Sequence, residues 1–86
     1  MWKLSYANVS ANDLVNLGPE GCALIRKAME QVRLMEELPG GPPPGYELPF
    51  WLFVFGPYAV SALVDHEAMT IAVLAVGPLE RRNIKQ

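Results

Sequence analysis

Residues 2–7 alternate: Trp2, Leu4 and Tyr6 share one side of the chain, and Lys3, Ser5 and Ala7 share the other. A period of two predicts an opening strand with one covered face. Ser10 or Asn8 then offers an N-cap for a short helix running to about Leu17, with Asp13 placed in its first turn. Gly18-Pro19 stops that helix, and proline is suited to start the next one. From Pro19 to about Leu38, Cys22, Ile25, Met29, Val32 and Met35 recur at three- and four-residue spacing. That spacing lines them up on one helical stripe. Arg26, Lys27, Glu30 and Arg33 fall largely outside it and read as a solvated face. Two helices joined by a short Gly-Pro turn form an αα-hairpin.

The segment Pro39-Gly40-Gly41-Pro42-Pro43-Pro44-Gly45 can neither continue a helix nor pair as a central strand. It reads as a rigid connector rather than as a proline-rich ligand. Three apolar runs follow, Phe50–Phe55, Tyr58–Val64 and Thr70–Val76. They are separated by Gly56-Pro57 and by a turn around Asp65-His66-Glu67, and such short links predict adjacent antiparallel hairpins. The expected fold is therefore α+β, in the order β-α-α-β-β-β: an antiparallel sheet with an αα-hairpin packed on one face.

Length limits this to a single domain over residues 1–86, because so short a chain cannot support two cores. A net charge of -2 argues against affinity built on neutralising many phosphates, although Arg81, Arg82 and Lys85 make a local basic tail. The lone Cys22 suits a reducing compartment and fits the apolar stripe as a buried thiol. One cysteine and one histidine, His66, cannot assemble a zinc site, so no metal or other cofactor is expected. The N-terminus lacks the pattern of a signal peptide. The nearly uncharged stretch from Leu48 to Val64 is broken by Pro49, Gly56 and Pro57, which argues against membrane insertion. The expected location is cytoplasmic.

Three segments carry a resemblance to a known family. They are Ser10-Ala11-Asn12-Asp13-Leu14-Val15-Asn16-Leu17-Gly18, then Gly56-Pro57-Tyr58-Ala59-Val60-Ser61-Ala62-Leu63-Val64-Asp65, and last Ile71-Ala72-Val73-Leu74-Ala75-Val76-Gly77-Pro78-Leu79-Glu80-Arg81-Arg82. In that order, from about Tyr6 to Arg82, the chain resembles the RelE/ParE superfamily of type II toxin–antitoxin toxins. The resemblance implies a cognate antitoxin as partner. It also implies growth inhibition, either through ribosome-dependent mRNA cleavage or through another essential target such as DNA gyrase.

Cleavage requires groups that activate the ribose hydroxyl, steady the phosphate and assist the leaving group. The family supplies these with several lysines and arginines. Here Trp51 and Phe53 stand on the strand that commonly carries lysines, and Ala59 follows Tyr58 where an arginine is expected. Arg81 matches the family's distal arginine and is the one candidate catalytic residue. Arg81, Arg82 and Tyr58 are the candidate RNA- or target-binding residues. This departure leaves endoribonuclease activity open, and a non-catalytic RelE-like interaction module is the alternative. His66 has the residue type of a general base, but between Asp65 and Glu67 it reads as a solvated turn residue.

Every residue from Phe50 to Phe55 is apolar, whereas a helical hairpin covers only one side of a sheet. Parity groups Trp51, Phe53 and Phe55, the side to which the resemblance assigns the missing lysines. An exposed aromatic trio marks a binding surface. The expectation is that Trp51, Phe53 and Phe55 form a partner interface for an antitoxin segment or a second copy of the chain in a homo-oligomer.

Overall fold

A computed structural model of the chain describes residues 1–79. Strand β1 (Lys3–Tyr6) leads into helices α1 (Asn8–Asn16) and α2 (Gly18–Val32), followed by strands β2 (Phe50–Phe55), β3 (Tyr58–Asp65) and β4 (Thr70–Pro78). The four strands form one sheet in the order β1-β4-β3-β2. This is the expected α+β element order, with one correction to the sheet. The three hairpin strands are antiparallel, but β1 joins β4 in parallel, pairing Leu4 with Ile71 and Tyr6 with Val73. Short turns dictate strand direction only where they connect neighbours, and two helices intervene after β1.

The helix boundaries also depart from the expected ones, for reasons visible in the hydrogen bonds. Helix α1 starts without a side-chain cap, because its N-cap is Ala7. Ser10 lies inside the helix, fully buried, and its Oγ donates to the Ala7 carbonyl at 2.7 Å. Asp13 is past the first turn, and its carboxylate faces β4. There it accepts the backbone N–H of Val76 at 2.9 Å. That N–H lies on the β4 edge beyond Val73, where the pairing with β1 has ended. The α1–α2 corner is made by Gly18 at φ +86°, a left-handed conformation that costs glycine little, with Pro19 opening α2.

Helix α2 buries Ile25, Met29 and Val32 of the expected stripe, and Gly21 beside them. It stops at Val32 rather than near Leu38, and Met35 is exposed. The cause is Trp2, which is buried beside the helix end. Its backbone N–H donates to the Arg33 carbonyl at 2.8 Å, and its indole Nε1–H donates to the Met35 carbonyl at 2.9 Å. Carbonyls at a helix C-terminus need such partners, and here a tertiary contact supplies them in place of another turn of helix.

The core lies between the helices and one face of the sheet. Leu14, Ile25, Met29 and Val32 pack with Phe53, Val60, Val64, Ile71, Val73 and Val76. A β-bulge opposite Ser61/Ala62 inserts one residue into β4 around Leu74. It re-phases the strand, so that Val73 and Val76, three apart, both face the helices. The connector runs along the outer edge of β2, where Gly41 and Leu52 exchange backbone hydrogen bonds. This bridge covers part of an otherwise open strand edge.

Candidate functional site

The helices cover one face of the sheet and leave the other open. Cross-strand pairing identifies the open face: Phe50 sits opposite Leu63, Leu52 opposite Ser61, and Val54 opposite Ala59. Leu63 in turn faces Ala72, which faces Ser5. The exposed aromatic and aliphatic groups on this side are Phe50 and Val54, with Leu52, Leu63 and Leu74 partly covered. The connector walls one side of it. Tyr46 donates its backbone N–H to the Pro43 carbonyl, and its ring meets Phe50 edge-on at 5.4 Å. Pro43, Tyr46, Phe50, Leu52, Ser61 and Leu74 line a recess of about 400 Å³ there.

The electrostatics of this face are sparse. Among the described residues its only lysine or arginine is Lys3, at the β1 border, where register sets it beside Thr70, with Asp65 one strand further on. One Asp65 oxygen is already bonded to the backbone N–H groups of Glu67 and Ala68, both at 3.0 Å. Arg26, Lys27 and Arg33 all belong to α2 or its C-cap. Arg26 lies over the Tyr6 ring at 5.1 Å, and Arg33 pairs with Glu30 at 2.8 Å. A surface that grips a polyanion through side chains needs several cations together, and the described part of this face presents an apolar platform instead.

Each expected site residue has a definite place or falls outside the described residues. Arg81 and Arg82 fall outside them. Tyr58 is on the helix side, partly buried, with its hydroxyl so close to α2 that a Cβ on Gly21 would meet it at 3.0 Å. That packing turns its ring away from the open face. The trio Trp51, Phe53 and Phe55 also lies on the helix side. Phe53 is 1% exposed, while Trp51 and Phe55 pack partly buried around it, so the expectation that they form the uncovered interface is corrected. The apolar residues left without a cover are those of the other parity, Phe50, Leu52 and Val54. Both parities of β2 are apolar, so no signal in that strand distinguished them.

His66 is an exposed turn residue, as expected, and its ring contacts Trp2 edge-on at 5.4 Å and Trp51 at 5.5 Å. The Trp51 indole donates to the Pro39 carbonyl at 2.8 Å. Cys22 is half-buried on the helical stripe. Among the described residues no three His, Cys, Asp or Glu side chains gather as a metal site would require. No helix there is long and apolar enough to cross a membrane. Burial pushes the Tyr6 hydroxyl above its ordinary value, Arg26 pulls it down, and Glu30 and Cys22 push it up.

No family model matches the chain, and no curated relative does. Solved structures do. The fold matches the intact Escherichia coli RelBE toxin–antitoxin complex with a TM-score of 0.74 at 17% identity, covering 94% of this chain and 100% of that one. It matches the RelBE2 toxin–antitoxin complex of Mycobacterium tuberculosis with a TM-score of 0.74 at 19% identity, covering 91% of each. The isolated E. coli RelE toxin aligns over 99% of this chain and 92% of its own, with a TM-score of 0.76 at 16% identity. The chain has a RelE-like fold.

Proposed function

We propose that the chain is the toxin component of a type II toxin–antitoxin pair, held by a cognate antitoxin and acting to inhibit translation. The observation that supports this reading is the completeness of the structural match. Helices, sheet and connector all fall within a fold that spans nearly the whole of two solved toxin–antitoxin proteins. A small domain of this kind also draws stability from a bound partner, in line with an antitoxin that covers apolar surface. In this reading Arg81 and Arg82 are the residues that meet the target, because the described open face offers only Lys3.

The apolar open face favours a second reading, a non-catalytic RelE-like module that binds protein. Phosphoryl-transfer chemistry on RNA needs charge stabilisation at the scissile phosphate. Phe50, Leu52 and Val54 cannot provide it.

One experiment separates the two. The chain is expressed under tight induction in a bacterial host, and ribosome-bound mRNA is mapped for new ends. The toxin reading expects growth arrest with new ends, both reduced by Arg81→Ala with Arg82→Ala at equal protein level. Arrest without new ends removes RNA cleavage and directs attention to another target. Normal growth, together with capture of a protein partner on the open face, replaces the toxin reading with the binding module.

A further inference from the structure

At the β3–β4 turn end of the molecule, Glu36, Glu37, Leu38, Trp51 and His66 enclose a recess of about 310 Å³. Two neighbouring carboxylates alone would be ordinary solvated surface. Here they border rings, and the segment that carries them is pinned at both ends. The Trp2 indole holds the Met35 carbonyl just before it, and the Trp51 indole holds the Pro39 carbonyl just after it. Gly40 continues this path at φ +83°, so close to β2 that a Cβ there would collide with the Leu52 carbonyl oxygen. The imidazole of His66 stands between the two indoles. The result is a preorganised pocket with aromatic walls and an acidic rim.

Among the described residues no lysine or arginine lines this pocket, and the nearest one along the chain, Arg33, is bonded to Glu30. Asp65 and Glu67 flank His66 and add to the negative potential. The last described residue lies at the other end of the sheet. Leu79 is bonded to Pro57, at the opposite end of β3 from Asp65, roughly 25 Å away for an eight-residue strand. Arg82 follows Leu79 by three residues, a reach of at most ~11 Å.

We propose that this pocket is a docking site for an arginine side chain presented by a different protein. Its guanidinium stacks on the Trp51 ring, with the tilted His66 ring meeting its edge, while Glu36 and Glu37 accept its N–H groups. A planar cation fits the recess better than an ammonium. It can lie against an indole and still direct several donors in its own plane towards adjacent carboxylates. This assignment does not depend on the toxin reading, since the pocket lies on the turn end of the sheet and not in the recess of its open face.

The test uses the intact, isotope-labelled chain, whose two tryptophans give separately assignable indole resonances. A tri-arginine peptide is titrated against it, with tri-citrulline and tri-lysine peptides as controls. The expected result is a saturable shift of the Trp51 and His66 resonances with tri-arginine and none with tri-citrulline. Both carboxylates are exposed, so Glu36→Gln with Glu37→Gln should leave the remaining spectrum intact and weaken binding about tenfold. Equal shifts with the citrulline peptide, or undiminished binding by the double variant, overturn the proposal. Equal affinity for tri-lysine overturns the guanidinium assignment. Concentration-dependent shifts without peptide that vanish in an Arg81→Ala, Arg82→Ala variant would make the occupant a second copy of this chain, which overturns the different-protein assignment.

Discussion

The same four strands present two apolar faces with opposite fates. On β2, Phe53 is 1% exposed, and the next residue, Val54, is 51% exposed. On β3, Val60 and Val64 are buried, while the intervening parity, Ser61 and Leu63, faces the uncovered side. Composition does not separate the faces, since Phe50, Leu52 and Val54 are as hydrophobic as many core residues. Helix placement does. The difference teaches that hydrophobicity in a strand reports capacity for burial, and that the burial itself is assigned by what packs above it.

The sharpest way to break this comparison is truncation on either side of one peptide bond. Phe53→Ala should cost about 3–5 kcal/mol in urea unfolding, because it opens a cavity in the buried core. Val54→Ala should cost about 0.5 kcal/mol or less in the isolated chain, as expected at a half-exposed site. Equal losses would mean that the open face is covered in solution, by self-association or by a ligand.

A second variant asks how the covered face is held by polar bonds as well as by packing. Asp13→Ala removes the acceptor of the Val76 N–H and should destabilise the chain by about 1.5–3 kcal/mol. Asp13→Asn retains a side-chain oxygen and should recover most of that loss. If alanine and asparagine behaved alike, the bond would contribute little, and α1 would be fastened to β4 by apolar contact alone.

The smallest effect concerns the border of the covered face. The Tyr6 hydroxyl titrates above its usual value because burial disfavours the phenolate. A pKa raised on folding gives stability that is complete below the unfolded value near 10 and is lost as pH rises through the folded one. Unfolding midpoints should therefore be insensitive to Tyr6 from neutral pH to about 9, then fall more steeply than those of Tyr6→Phe. Parallel curves for the two proteins above pH 10 would remove this contribution.

Element order was legible in the chain because each signal for it is local. Alternation at Trp2–Ala7, the stripe through Ile25, Met29 and Val32, and the Gly-Pro punctuation all act within a few residues. Boundaries were less legible wherever a distant residue decided them. Nothing near Leu34–Leu38 says that Trp2 will occupy the carbonyls that another helical turn would have used. The candidate site was the least legible part. Parity correctly grouped Trp51, Phe53 and Phe55, but period two is symmetric under exchange of the faces, so it could not say which group the helices would cover.

What the sequence determined by itself is the set of elements, their order and the fact that β2 has two apolar sides, because propensity, periodicity and turn chemistry are short-range. What only the tertiary structure decided is the parallel entry of β1, the stop of α2 at Val32, the gathering of Trp2, Trp51 and His66, and the choice of open face. Each of these depends on contacts between residues tens of positions apart. Their energies come from burial and hydrogen bonds that exist only once the helices have docked on the sheet.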